Sequence, residues 1–257
     1  MTEVAKVVFL GVGSATDFSR GSTSVLYLGS VKLLCDCGPS VPERVARHFA
    51  DPELLDAVYI SHSHGDHLLG LPMLLLWMRT IGRRRPFSIL TGPGLVTAIK
   101  DLLDVAYPRS FAPDRCFALE MLEIEPMAAR SWRQVTLTTA PTTHGVSNHA
   151  LGVDDLGRRW AYSGDGKPTR AATELYRGVD LLVHECQRCD ASADRGHAGL
   201  ADLVEVMGVS QPRQLAVVHT APAERSRLGI ELEERFGDRV QVPETGDHMT
   251  VADRNDG

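Results

Sequence analysis

The chain has 257 residues, with 27 Lys or Arg against 33 Asp or Glu for a formal net charge of −6, and it is 43% hydrophobic and 23% charged. A chain of that length and balance buries a sizeable core, which excludes the disordered, collagen-like and low-complexity classes. The acidic surplus provides no bulk cationic field for nucleic acid or an anionic membrane, and five Cys at irregular spacing fit free thiols in a reducing, cytoplasmic compartment better than a disulfide framework.

In chain order, residues 4–10 read as a buried strand ending in the turn Gly11-Val12-Gly13-Ser14, and 24–28 and 31–35 as two β-rich runs separated by Gly29-Ser30. No cationic lead precedes the first run, so it reads as a strand and not as a signal peptide. Apolar residues at 41, 45, 46 and 49 with Pro42 near the start predict a helix, and 57–60 a strand. The stretch 68–78 predicts a buried helix; holding Gly70 and Pro72, it is too short to span a bilayer, and no membrane partner is expected. Residues 87–90 predict a strand, and 95–105 a helix opened by Gly92-Pro93-Gly94. Farther on, 135–139, 160–163, 181–184 and 215–218 predict strands, 200–207 and 223–236 predict helices, and 240–242 with 249–251 predict a closing strand pair around Gly246-Asp247. With no linker or low-complexity tract, 1–257 reads as one α/β (α+β) domain made of two similar halves, about 1–115 and 116–257.

The chemistry concentrates where the apolar run Ala57-Val58-Tyr59-Ile60 leads through Ser61 into His62, Ser63, His64, Gly65, Asp66 and His67, three histidines and an aspartate within six positions. Two positions apart on an extended segment, His62 and His64 project to one side, and the turn at Gly65 carries Asp66 and His67 to a second point. One loop thus supplies ligands to two ions. Imidazole nitrogen and carboxylate oxygen suit zinc, with manganese or iron as alternatives.

The pattern His62-x-His64-x-Asp66-His67 after a short strand resembles the signature of the metallo-β-lactamase superfamily. That resemblance implies a four-layer αβ/βα sandwich with two zinc ions at one sheet edge. It also implies further ligands at strand ends, which His144, Asp165 and His219 supply in this chain. By the same resemblance His62, His64 and His144 hold the first ion, Asp66, His67 and His219 the second, and Asp165 bridges them. Elementary electrostatics agrees: two dications repel, and a bridging carboxylate with a shared hydroxide relieves the repulsion while making a nucleophile at neutral pH.

Within the superfamily the chain is similar to the ribonuclease Z branch over nearly its whole length, through Gly11-Val12-Gly13, Arg20-Gly21-Ser22-Thr23-Ser24, Cys35-Asp36-Cys37-Gly38, the segment 82–95 and Ser163-Gly164-Asp165. His184-Glu185-Cys186 and Gly196-His197-Ala198 resemble two further motifs of that branch, and the resemblance implies that Glu185 and His197 join Asp66 as catalytic residues, with His197 as general acid. Ribonuclease Z itself carries a long tRNA-gripping arm between the motifs matched by His144 and Asp165, whereas residues 145–164 hold two strands and little else. The expected activity is therefore hydrolysis of a small anionic phosphodiester or cyclic phosphate. A ribonuclease Z-type tRNA 3′ endonuclease, or a sulfatase or lactonase on the same site, is the alternative, and nucleic acid is a disfavoured partner.

Weaker signals complete the reading. Arg20 and His149 lie near motif loops and read as substrate contacts. Arg83-Arg84-Arg85 reads first as solvated surface and second as a guide for an anionic substrate. Cys186-x-x-Cys189 has zinc-knuckle spacing without a second pair, so free thiols are expected. A homodimer is implied by the branch alone.

Overall fold

The apolar runs pair into two seven-stranded sheets in the computed structural model, which describes residues 4–190 and 196–252. The chain passes first through β1 (Lys6–Gly11), β2 (Ser24–Leu28), β3 (Lys32–Cys35), α1 (Val41–His48), β4 (Ala57–Ile60), α2 (Gly65–Leu68), α3 (Leu71–Thr80), β5 (Phe87–Thr91), α4 (Val96–Ala106) and β6 (Leu119–Glu123). It continues through β7 (Arg130–Trp132), β8 (Val135–Pro141), β9 (His149–Asp155), β10 (Arg158–Tyr162), α5 (Arg170–Leu175), β11 (Leu181–Glu185), α6 (Leu200–Val209), β12 (Gln214–Val218), α7 (Arg225–Phe236), β13 (Val240–Gln241) and β14 (His248–Thr250). The sheets run β14-β1-β2-β3-β4-β5-β6 and β13-β12-β11-β10-β9-β8-β7. In each, antiparallel pairs give way to parallel ones, from β3 to β6 and from β10 to β13.

Strand periodicity explains the layers. In β1, Val7 and Phe9 face the space between the sheets while Val8 and Leu10 face the helices, so both faces are apolar and the run is unbroken. Three apolar clusters result. One lies between the sheets and includes Tyr27, Tyr59, Trp160 and Val183; one packs the first sheet on α1 and α3, with Val45 and Leu74; one packs the second on α6 and α7, with Leu203 and Leu228. Three inter-layer cores make the αβ/βα sandwich expected from the sequence.

Several local expectations need correction. The two closing strands do not pair with each other: β13 lies parallel to β12 in the second sheet, and β14 lies antiparallel to β1 in the first. Each completes the edge of a different sheet, a long-range choice that two short runs around a turn cannot announce. The helix predicted over 68–78 starts only at Leu71, as α3, while α2 ends at Leu68, because Gly70 packs on the 37–38 turn, its N–H donating to the Cys37 carbonyl at 2.8 Å, and Pro72 stands in the first turn of the new helix. A Cβ on Gly70 would stand 2.1 Å from the Gly38 carbonyl oxygen. β6, β7 and α5 are additional; β6 and β7 are edge or near-edge strands whose mixed polarity hides a period of two.

Candidate metal centre

The parallel strands point their carboxyl ends to one edge of the sandwich, where open α/β sheets place their ligands. β4 delivers His62 and His64, and α2 directly after it delivers Asp66 and His67. His144 follows β8, Asp165 follows β10, Glu185 ends β11 and His219 follows β12. Two backbone features set the angles. His219 has φ 55°, a left-handed conformation rare for His, and Asp165 stands between Gly164 at φ 59° and Gly166 at φ 105°. A Cβ on Gly164 would lie 2.5 Å from Asn148 Oδ1 and 2.7 Å from Ser61 Cβ, so glycine is required both by angle and by space.

These turns bring all seven ligand candidates together in two groups that share Asp165. In His62, His64, His144 and Asp165, and again in Asp66, His67, Asp165 and His219, one donor atom from each residue lies within 4.8 Å of the others. Asp165 Oδ2 is the centre: it lies 3.4 Å from both His67 Nε2 and His219 Nε2, 3.7 Å from His62 Nε2 and 3.9 Å from His144 Nε2. Asp66 Oδ2 adds contacts of 3.2 Å to His67 Nε2 and 3.4 Å to His219 Nε2.

The surrounding hydrogen bonds fix which imidazole nitrogens face inward. His67 Nδ1 donates to Asp36 Oδ2 at 2.7 Å, and His144 Nδ1 donates to the Gly196 carbonyl at 2.5 Å. His62 Nδ1 lies 2.9 Å from Ser61 Oγ, whose hydroxyl donates to Asp36 Oδ2 at 2.7 Å. Asp36 also accepts from the Ser61 N–H and the Tyr162 hydroxyl, and these four bonds hold it at φ 61°. Asp36 is the residue that motif reading undervalued; it stood in the Cys35-Asp36-Cys37-Gly38 turn without an assigned role.

The donor set fits divalent cations. His62 Nε2, His67 Nε2 and Asp165 Oδ1 are buried without a hydrogen-bond partner, and His144 Nε2 faces His64 Nδ1 at 3.0 Å, two nitrogens that need a proton or cation between them. The electrostatics divides the groups. Burial, with the nearby His67, pushes His62 down to about 2, and burial also lowers His64 and His144. Burial opposes charge at His67 and His219 as well, but there the carboxylates prevail: Asp165 and Asp36 raise His67, and Asp165 and Asp66 raise His219. Burial likewise works against ionisation of Asp66, which hydrogen bonds to His219 and His67 nevertheless hold well below the usual carboxylate range.

Glu185 and His197 are adjacent to the cluster. Glu185 Oε1 accepts from Gly166 N at 2.7 Å, Ala198 N at 3.1 Å and His197 Nδ1 at 3.0 Å. The His197 ring stacks on His219 with centroids 5.3 Å apart and meets His144 edge-on at 4.9 Å. Arg20 turns elsewhere, pairing with Asp17 Oδ2 at 3.3 Å and Glu244 Oε2 at 3.0 Å. His149 is 8% exposed and lines a cleft beside Ser61 and Ser63. The arginine run is neither solvated as a whole nor near the cluster. It precedes β5, at the strand end opposite the histidines; Arg83 is buried over the Phe87 and Phe117 rings and donates to the Leu55 carbonyl at 2.9 Å, while Arg85 pairs with Asp56 at 3.3 Å. Cys186 and Cys189 are buried free thiols, and no histidine, cysteine or carboxylate cluster of metal-binding geometry includes them among the described residues.

Comparison with known proteins identifies the family and the fold. The family model described as anti-Pycsar protein Apyc1 matches residues 5–236. A ribonuclease Z from Natronomonas pharaonis is 26% identical, with 96% of this chain and 97% of that protein covered; the alignment spans 305 positions, more than this chain has, so that relative carries inserted sequence absent here. Among solved structures, the metallo-β-lactamase fold protein YhfI from Bacillus subtilis superposes with a TM-score of 0.82 at 19% identity, covering 96% of this chain and all 100% of that one. A diphosphatase of the PhnP family gives 0.73 at 19% identity, covering 95% and 97%. At those identities the structures show the fold.

Proposed function

The chain belongs to the family described as anti-Pycsar protein Apyc1, a metal-dependent hydrolase of metallo-β-lactamase fold and ribonuclease Z-like type, and from that premise we propose that it is a binuclear phosphodiesterase acting on a small phosphodiester or cyclic phosphate. In this reading His62, His64 and His144 would hold one ion, Asp66, His67 and His219 would hold the other, and Asp165, common to both groups, would serve each. The observation that carries it is the convergence of four imidazoles on Asp165 Oδ2. Divalent ions held there, zinc being the choice that fits the donors, would supply Lewis acidity and a water-derived nucleophile at neutral pH.

The remaining work falls to the chain itself. Asp36 fixes His67 through Nδ1 and, by way of Ser61, His62, so that each Nε2 faces the centre. Glu185 accepts from His197 Nδ1, which orients the opposite nitrogen to give its proton to the departing oxygen as the P–O bond breaks; the imidazole then retains the Glu185 bond. His149 contributes from the neighbouring cleft. Arg20, committed to Asp17 and Glu244, shapes the loop in this reading and does not bind substrate.

A small substrate is favoured because residues 145–164 hold only the β9–β10 hairpin, which turns at Leu156-Gly157. A tRNA 3′ endonuclease is the second reading, favoured by the names of the relatives. The test is hydrolysis of bis-p-nitrophenyl phosphate and a ribonucleoside 2′,3′-cyclic phosphate by the zinc-loaded protein beside Asp66→Ala, with a pre-tRNA 3′ trailer as a third substrate. Turnover of the small esters that falls about 10³-fold in the variant, the effect of losing several kcal/mol of charge stabilisation, supports the proposal. Full activity of Asp66→Ala, or efficient trailer cleavage without small-ester turnover, overturns it.

A further inference from the structure

Next to the histidine cluster, the carboxyl ends of β4 and β5 open into a cleft of about 210 Å³ whose walls include Ser61, Ser63, Thr91, Gly92, Leu95 and His149. Ser63 lies between His62 and His64 in the chain, so cleft and cluster share a wall. The volume is below the span of about 300–1,000 Å³ usual for pockets that take whole drug-sized ligands, and it suits a group the size of a single ring.

Three observations describe what the cleft would hold. Thr91 is 1% exposed, and its buried Oγ1 has no hydrogen-bond partner among the described residues, a standing cost unless something enters to meet it. His149 has its backbone pinned, the N–H donating to the Ser61 carbonyl at 3.2 Å and the carbonyl accepting from the Tyr59 hydroxyl at 2.7 Å, and burial lowers the basicity of its ring, which is therefore a neutral donor–acceptor. The ring rests on bare backbone: a Cβ added to Gly92 would stand 2.3 Å from His149 Nδ1. Among the described residues no Lys, Arg, Asp or Glu lines the cleft, so a charged group would lose its water there and gain no partner from them.

The geometry points to a specificity subsite in which Thr91 Oγ1 and the His149 imidazole hydrogen-bond the uncharged organic group of the phosphodiester that is not the leaving group, with Gly92 and Leu95 as its floor. This inference rests on the phosphodiesterase reading. His197, which serves the leaving oxygen, is not part of the cleft wall, and that assigns the cleft to the group that stays. The subsite thereby selects esters by the polarity and size of that group, preferring a neutral ring with hydrogen-bonding edges to a methyl.

The test compares two esters that release the same p-nitrophenol, bis-p-nitrophenyl phosphate and methyl p-nitrophenyl phosphate, on the zinc-loaded protein. In Gly92→Ala the ratio of kcat/KM for the ring ester over the methyl ester is expected to fall at least fivefold, mainly through KM, and in Thr91→Val at least twofold. An unchanged ratio in both variants, each with a cooperative melt, overturns the subsite; if Gly92→Ala does not fold, Thr91→Val decides alone. If the wild type turns over neither of these esters nor the ribonucleoside 2′,3′-cyclic phosphate, the phosphodiesterase reading fails, and ligand-observed NMR with neutral p-nitrobenzamide decides the cleft separately. Saturation transfer in the wild type that is lost in Thr91→Val supports the subsite, and no transfer in the wild type overturns it.

Discussion

His62, His64 and His144 form one group with Asp165, and Asp66, His67 and His219 form a second group with it. His62 and His67 are both 0% exposed, yet they titrate in opposite directions, the first far below and the second well above an ordinary imidazole. Burial works against charge on both. The difference lies in the other neighbours: both imidazoles meet Asp165, but His67 also donates to Asp36 and touches Asp66, whereas His62 meets Asp36 only through a serine hydroxyl and is pushed down further by His67. One side therefore presents neutral lone pairs at pH 7. On the other, the carboxylates favour the protonated imidazoles, with whose protons a metal ion would have to compete.

Removing the shared carboxylate is the most severe way to break this comparison. Asp165→Ala is expected to reduce metal content from two ions per chain to below one, and hydrolysis by about 10³-fold or more, measured by elemental analysis and ester turnover. Asp36→Asn should separate the sides: affinity at the His67 side falls about 10–100-fold while the His144 side changes less, read from the two steps of a zinc titration. Because the folded values of His67 and His219 lie above the ordinary imidazole value, lowering pH through that range leaves both protonated in the metal-free protein, and each displaced proton weakens metal binding by about tenfold per pH unit. The side of His62, whose imidazoles are all lowered, should be less sensitive over the same range, and calorimetry in buffers of different ionisation enthalpy reads the released protons. The smallest effect is expected from Tyr162→Phe, which removes one of four hydrogen bonds to Asp36; it should cost about 1 kcal/mol and lower Tm by about 2–4 °C.

The legible part of the site is its local part. His62, His64, Asp66 and His67 stand within six positions, and their relative directions follow from a strand end and one turn. His144, Asp165 and His219 were legible because each follows an apolar run, though only family resemblance tied them to the loop. Arg83 shows the opposite. Three arginines in a row read as solvated charge, whereas Arg83 is 4% exposed and satisfied by backbone carbonyls, because the turn before β5 folds it onto Phe87 and Phe117. The closing strands are similar: β13 and β14 were seen as strands, but which edge each completes depends on sheets assembled from residues far upstream.

By itself the sequence determined the layered α/β architecture and which candidate ligand types gather at strand ends, since unbroken apolar runs require burial on both faces and imidazole with carboxylate suits a divalent cation. Only the tertiary structure decided how the two sides differ. Asp36 reaches His67 across 31 positions and Tyr162 reaches Asp36 across 126, and no periodicity encodes such separations. Spacing along the chain fixes where a nearby side chain points. The charge that side chain carries is fixed by whichever carboxylates the folded sheets bring against it.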